Sequence, residues 1–254
     1  MVYCSSIKRV IFAKDTKREM EKINFIFFGT PHVASDTLEI LFMHGIVPSV
    51  IVTSPDRPSG RGMKMTSSPV KLWADANNIP VLQPEKLDEE FSSNLSRFAC
   101  PLAIVVAYGK IIPESIISSF PKGILNIHYS LLPKYRGASP VESALLNNDQ
   151  ETGITIQKMV YELDAGDIVS MERVSVMPND NTTTLRARLI KVGAEILAQT
   201  LPEYVAGRIN PVPQDHTHKT KCGKMKKEDG DITEETSDQI KWNKFRAYFE
   251  WPRT

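Results

Sequence analysis

Short apolar runs alternate with stretches of helical spacing along most of the chain. The first run, Ile23 to Phe28, is interrupted only by Asn24 and ends in Gly29-Thr30-Pro31, a pattern typical of a central parallel strand buried on both faces. Further apolar segments are predicted as strands over residues 47–53, 79–82, 102–107, 123–128, 154–159 and 168–176. Helical spacing predicts helices over residues 35–43, 69–77, 87–98, 113–120, 183–200 and from Pro140 onwards. This alternation predicts an α/β fold with an open, doubly wound, mostly parallel, Rossmann-like sheet.

Composition excludes several classes of protein but does not identify the function. The chain of 254 residues is 41% hydrophobic and 24% charged, and its net charge is +1, so a polyanion would have to bind a local basic cluster. The three cysteines, Cys4, Cys100 and Cys222, form no C-x-x-C pair, which argues against a zinc site or a disulfide framework and favours a reducing cytoplasm. Apolar runs are too short to span a membrane. We expect a cytoplasmic protein that needs no metal.

The glycine turn after the first strand excludes one class of Rossmann-like protein. It reads F-F-G-T-P, whereas a dinucleotide site needs the several glycines of G-x-G-x-x-G for close approach of the pyrophosphate. No Walker A or H-E-x-x-H motif occurs either. The fold is therefore predicted without a nicotinamide cofactor.

Polar residues at a predicted strand end carry the first chemical signal. In residues 124–128, Asn126 and His128 share one face because side chains alternate along a strand, and the carboxyl end of such a strand is where open α/β sheets bind ligands. A polar strand end that meets a loop would explain this pair alone. The next segment, S-L-L-P-K-Y-R-G at residues 130–137, is too apolar for a merely solvated loop, and its proline and glycine indicate a fixed conformation. Asp164, in L-D-A-G-D, offers a carboxylate to an imidazole, although such a segment alone is a turn.

These three segments, N-x-H, S-L-L-P-x-x-R-G and L-D-x-G-D, resemble in type and order the formyltransferases that use 10-formyltetrahydrofolate. The resemblance runs from about residue 23 to 251 and implies an enzyme whose catalytic residues are Asn126, His128 and Asp164. Asn126 and a protonated His128 would donate to the oxyanion that forms when an amine attacks the formyl carbon, while Asp164 orients His128 and helps to move the amine proton. It also implies a folate pocket lined by Val106, Ala107, Tyr108, Gly109, Ile111, Ser130, Leu131, Leu132 and Pro133.

A basic loop over residues 54–71 is similar to the loop with which methionyl-tRNA formyltransferases meet the acceptor end of their tRNA. It contains P-D-R-P-S-G-R-G-M-K, close to the P-D-R-P-x-G-R-G-x-K pattern of those enzymes. A solvated basic loop is the simpler alternative for such a composition. The resemblance favours methionyl initiator tRNA as the partner and assigns phosphate contacts to Arg57, Arg61, Lys64, Lys71 and Arg136.

The resemblance also predicts where the domains of the chain begin and end. Residues 22–207 are predicted as the catalytic domain and residues 208–254 as a linker towards an absent C-terminal β-barrel, because Trp242, Phe245 and Trp251 have no further chain to cover them. Residues 1–21 are basic and lack an apolar core, so we expect translation to begin at Met20 or this extension to be disordered. A basic amphipathic targeting helix is the alternative.

Two other functions stay open at this point. A sugar-nucleotide N-formyltransferase would share the three catalytic residues but would not explain the basic loop. A non-catalytic folate- or RNA-binding remnant of a truncated gene would bind folate without transferring a formyl group. No obligatory protein partner is indicated.

Overall fold

The computed structural model describes residues 23–59 and 62–254, so the extension predicted at residues 1–21 and the contact predicted for Arg61 lie outside the described residues. In the described part, the strands are β1 (Phe25–Gly29), β2 (Val50–Val52), β3 (Arg57–Ser59), β4 (Lys64–Thr66), β5 (Val81–Leu82), β6 (Leu102–Val106), β7 (Ile124–His128), β8 (Arg136–Gly137), β9 (Glu151–Lys158), β10 (Ile168–Ser175) and β11 (Lys221–Cys222). The helices are α1 (His32–Met43), α2 (Pro69–Ala76), α3 (Glu89–Ser96), α4 (Glu114–Ser118), α5 (Pro140–Leu146), α6 (Thr182–Val205) and α7 (Asp238–Ala247).

Seven strands form the central sheet, in the order β10-β9-β7-β6-β1-β2-β5. The five strands from β7 to β5 in this order are mutually parallel, whereas β9 is antiparallel to β7 and β10 is antiparallel to β9. The prediction of an open, mostly parallel sheet is confirmed. The chain runs outward from β1 to β5 and then returns to β6, so strand order reverses between β1 and β6. Open α/β sheets bind ligands beyond the carboxyl ends of the strands at such a point.

Alternate residues of β1 divide the core between the two faces of the sheet. Phe25 and Phe27 belong to one buried cluster together with residues of α1 and α6, and Ile26 and Phe28 belong to another with residues of α3 and α4. This is the two-residue period of a strand covered on both sides. Helices therefore cover both faces, as the doubly wound prediction requires.

The longest helix extends further than the sequence predicts. Its end is predicted before Pro202, yet α6 continues through this proline to Val205. Leu201 is fully buried, and the Tyr204 hydroxyl donates to the Lys122 carbonyl at 2.7 Å. Packing of the last turn thus outweighs the one backbone hydrogen bond that proline cannot donate. No helix in the described residues combines the length and apolarity that crossing a bilayer requires.

Residues 208–254, predicted as a linker, pack against the central sheet and its helices. β11 pairs with β8 in parallel, and α7 lies against α5. Ala247 and Tyr248 join the hydrophobic core, and other contacts are polar: the Asn243 amide donates to the Leu146 carbonyl at 3.1 Å, and the buried Arg246 guanidinium donates to the Asn148 side chain at 3.1 Å. Because Asn243 and Arg246 are among the buried residues of α7, the helix shows no strong hydrophobic period, which is why this segment resembles a linker in composition.

Candidate active site

The side chain of His128 is fixed at the carboxyl end of β7. It is 5% exposed, and its Nε2 lies 2.9 Å from the Tyr135 carbonyl oxygen. A carbonyl oxygen can only accept, so Nε2 carries the hydrogen of this bond. The other ring nitrogen, Nδ1, faces the Asp164 carboxylate at 3.6 Å. Nδ1 is therefore the nitrogen that is free to exchange a proton beside a carboxylate.

The Asp164 carboxylate is held by two donors. Its Oδ2 accepts from the Gly137 backbone N–H at 2.8 Å, and its Oδ1 accepts from the Gln157 side-chain amide at 2.8 Å. Asp164 lies between β9 and β10 with a φ of +50°, a left-handed conformation that few non-glycine residues adopt. The backbone turn and the two donors together aim the carboxylate at His128.

Gln157 is a site residue that sequence reasoning missed. It is 1% exposed on β9, directly opposite Asn126 of β7, and its side-chain oxygen accepts from the Gly166 N–H at 3.2 Å. Thr155, two residues earlier on the same face, is fully buried. Thr155 and Gln157 alternate with Ile154 and Ile156, a pattern that by itself indicates a half-buried strand, so no local signal marks Gln157 as buried against Asp164.

Asn126 shares the face of His128, as the alternation of the strand predicts. It pairs in register with Val105 of β6 and Gln157 of β9. Asn126 is only half-buried, so solvent reaches its amide at the edge where His128 and Asp164 meet. The structure thus brings the three residues predicted as catalytic to one edge of the sheet.

The S-L-L-P-K-Y-R-G segment has a fixed conformation. The Ser130 hydroxyl donates to the Lys134 carbonyl at 2.5 Å. The Thr155 hydroxyl donates to the Ser130 carbonyl at 2.7 Å and accepts from the Leu132 N–H at 3.0 Å. The Tyr135 hydroxyl donates to Asp149 at 2.8 Å, and burial, reinforced by this carboxylate, raises the pKa of Tyr135 above its usual value. These bonds place the Tyr135 carbonyl against His128.

The turn after β6 presents part of the predicted folate pocket. Val106 is fully buried in the strand, whereas Ala107 and Gly109 are exposed with φ values of +48° and +80°. Tyr108 is buried edge-on against Phe28, and burial raises the pKa of its hydroxyl to about 12. Ile111 is 80% exposed, an unusually open position for a large apolar side chain.

The other four residues predicted for the pocket are more enclosed. Ser130 and Leu132 are buried, and their backbone groups hold the segment in place. Leu131 packs against β9, where a Cβ added to Gly153 would come within 2.4 Å of its side chain. Pro133 is half-buried, and its carbonyl accepts from the Thr220 N–H.

The basic residues predicted to contact tRNA fall into two groups. Arg57 and Lys64 are exposed on the hairpin of β3 and β4, which forms where the sequence predicts only a loop. Lys71 instead donates to the Asp56 carboxylate at 2.7 Å. Arg136 is 3% exposed, and its guanidinium donates to the Gln214 side-chain oxygen at 2.6 Å. The expectation that Arg136 meets phosphates at the surface is therefore corrected, since the guanidinium is buried and engaged inside the protein.

Known proteins resemble this chain in sequence and in fold. The family model described as "Formyl transferase" matches residues 21–201. The chain belongs to the formyl transferase family. The chain is 43% identical over 229 residues to the methionyl-tRNA formyltransferase of Koribacter versatilis, covering 89% of this chain and 73% of that protein. The methionyl-tRNA formyltransferase of Buchnera aphidicola subsp. Schizaphis graminum is 38% identical over 234 residues, covering 92% and 74%.

Solved structures share the fold of this chain at lower sequence identity. The N-formyltransferase from Helicobacter canadensis, in complex with folinic acid and dTDP-3-aminofucose, superposes with a TM-score of 0.67 at 18% identity over 89% of this chain and 80% of that one. Phosphoribosylglycinamide formyltransferase from Anaplasma phagocytophilum gives a TM-score of 0.62 at 22% identity over 75% and 90%. Both confirm the α/β fold.

Substitution of Gly166 tests how tightly the turn that carries Asp164 is packed. A Cβ at this position would lie 1.8 Å from the Lys158 carbonyl oxygen, so Gly166→Ala must displace backbone. We expect the substitution to lower the free energy of unfolding by about 1–3 kcal/mol, measured by urea denaturation. Gly223→Ala is the matched control, because a Cβ there meets nothing within 4 Å. Equal stability of the two variants would contradict this close packing.

Proposed function

We propose that this chain transfers a formyl group from 10-formyltetrahydrofolate to the α-amine of methionyl initiator tRNA. The observation that carries the proposal is the His128–Asp164 pair, with Asn126 on the same strand face at the carboxyl edge of the sheet. The identity of 38–43% to proteins named methionyl-tRNA formyltransferase supports the choice of acceptor.

The three side chains suit a direct attack by the amine on the formyl carbon. The Asn126 amide donates to the formyl oxygen as negative charge develops there, and a protonated His128, with a hydrogen on Nδ1 as well as on Nε2, supplies a second donor. A bond forms between the amine nitrogen and the formyl carbon, and the bond from this carbon to N10 of the folate breaks. Asp164 keeps His128 oriented, so that the proton leaving the amine reaches N10 directly or through water.

The turn after β6 suits a flat, partly apolar co-substrate. It follows the strand next to β7, so it lies beside Asn126 at the same edge of the sheet. Gly109 leaves open space where a side chain would stand, and Ile111 offers an exposed apolar surface. The buried Tyr108 hydroxyl has no hydrogen-bond partner among the described residues. Exposed backbone next to an apolar wall is the usual composition of such a pocket.

The hairpin of β3 and β4 suits the acceptor end of a tRNA. Arg57 and Lys64 supply positive charge, and Met63 and Met65 are 70% and 65% exposed. Basic side chains can contact phosphates while adaptable apolar ones lie against sugars and bases. Lys71 forms an ion pair with Asp56, the residue that precedes β3 of this hairpin.

Asp56 anchors the base of the hairpin and gives a test of this surface. Hydrogen bonds from Lys71 and then Gln83 hold the pKa of this carboxyl below its usual value, so the anchor is lost only as the pH falls through that lowered pKa. We expect Asp56→Asn to raise KM for tRNA and leave KM for the folate and the turnover number kcat unchanged in steady-state assays near neutral pH. Asp75→Asn, an exposed change on α2, is the control. An unchanged KM for tRNA would contradict the role of the hairpin.

The experiment that tests the proposed function measures formyl transfer from 10-formyltetrahydrofolate to three acceptors in parallel. These are methionyl initiator tRNA, methionyl elongator tRNA and an amino-sugar nucleotide. We expect product with the initiator tRNA alone. Transfer to the sugar alone would replace the proposed acceptor, and folate binding without transfer to any amine would indicate a non-catalytic protein.

A further inference from the structure

We propose that Gln214 is a positioning residue of the active site, a role that rests on the proposed function. It lies in the segment that sequence composition predicts as a linker, about fifty residues after Asp164. Its side chain is 4% exposed, so its amide must find its partners inside the protein. Gln214 acts through the backbone that carries the catalytic groups.

The Gln214 amide joins the two loops that hold the His128–Asp164 pair. Its nitrogen donates to the Asp164 carbonyl at 2.9 Å and to the Gly166 carbonyl at 2.6 Å. Its oxygen accepts from Arg136 Nε at 3.2 Å and from one terminal nitrogen of the same guanidinium at 2.6 Å. The donor end thus fixes the turn that carries Asp164, and the acceptor end fixes the residue that follows Tyr135.

The rest of the same segment supports the loop next to His128. The Tyr135 N–H donates to the Thr220 hydroxyl at 2.8 Å, and the Arg136 N–H donates to the Thr220 carbonyl at 2.9 Å. β11 then pairs with β8, where a Cβ on Gly137 would come within 2.0 Å of the Cys222 carbonyl. Since the Gly137 N–H donates to Asp164, this pairing fixes a second contact of the carboxylate.

At position 214 a glutamine side chain donates at one end and accepts at the other. Glutamate has nearly the same shape and can still accept from Arg136, but it offers the Asp164 and Gly166 carbonyls an oxygen in place of their donor. Gln214→Glu therefore keeps the approximate shape of the side chain, replaces the donor by a second acceptor and adds a negative charge beside Arg136. Alanine removes both ends, so the buried Arg136 guanidinium loses the Gln214 oxygen and keeps its contact with His216 Nδ1 at 2.9 Å.

The test measures steady-state formyl transfer by Gln214→Glu and Gln214→Ala. The control is Gln199→Ala, because Gln199 is exposed on α6. The temperature is one at which circular dichroism shows all three variants to be folded. We expect both Gln214 variants to lose about 10–100-fold in kcat with little change in either KM, the range typical of residues that orient a reacting group. NMR of the histidine rings should show His128 resonances shifted in both variants and unmoved in the control.

Each outcome either supports or overturns the positioning role of Gln214. Wild-type kcat in Gln214→Glu, or a lower kcat with unmoved His128 resonances, would overturn the positioning role while the proposed function stands. If the unmodified protein transfers no formyl group to any amine, the proposed function fails. The histidine resonances of the Gln214 variants then decide by themselves whether this amide sets the His128–Asp164 geometry.

Discussion

Replacing His128 by alanine is expected to lower kcat for formyl transfer by about 10²–10⁴-fold, the usual contribution of a positioned acid–base group. The substitution removes the ring whose Nδ1 faces Asp164 at 3.6 Å, and with it one donor to the developing oxyanion. Folate binding should persist, because the turn after β6 does not depend on this ring. Stopped-flow or quench measurement of formyl-tRNA formation at saturating substrate concentrations gives the ratio of kcat in the unmodified protein to kcat in the variant.

The fold should survive the loss of His128. The Tyr135 carbonyl that loses its ring donor still accepts from the Cys222 thiol at 3.3 Å. His44→Ala is the matched control: His44 is exposed at the end of α1, on the opposite edge of the sheet, and its effect should stay within about twofold. Near-normal turnover of the His128 variant would defeat the mechanism, whatever the acceptor.

Replacing Asp164 by asparagine is expected to lower kcat by about 10²–10⁴-fold, a loss comparable to that from amide replacement of the orienting carboxylate in other catalytic sites. Both carboxylate oxygens accept from N–H donors, those of Gly137 and Gln157. An asparagine can satisfy only one of them, and its own NH₂ would point at the other. The variant therefore loses the negative charge opposite His128, and the side chain at position 164 is no longer held in line with the histidine ring.

Asp167→Asn is the matched control for Asp164→Asn. It lies three residues further on in the same L-D-A-G-D segment, and Asp167 is exposed. Removal of its charge should leave kcat within about twofold of the unmodified protein, as for other surface substitutions. Similar losses in both variants would mean that local charge, and not the contact with His128, is what turnover requires.

The sequence by itself determined those features that depend on local periodicity. Apolar runs bounded by glycine and helical spacing between them predict the strands and helices of the sheet, and alternation along β7 predicts that Asn126 and His128 share a face. The Ser68 cap of α2 is likewise readable, since a serine before proline is a local signal, and its hydroxyl accepts from the Lys71 N–H at 3.1 Å. The roles of the site residues came from resemblance and remain proposals.

Only the tertiary structure decided which distant groups meet. Arg136 is a charged residue in a loop, and nothing local shows that Gln214, 78 positions later, removes it from the surface. Gln157 and Gln214 carry no period or motif that marks them as partners of Asp164. Local patterns follow from steric preferences and solvent exposure of neighbouring residues, whereas the satisfaction of buried polar groups depends on which elements the whole chain packs together.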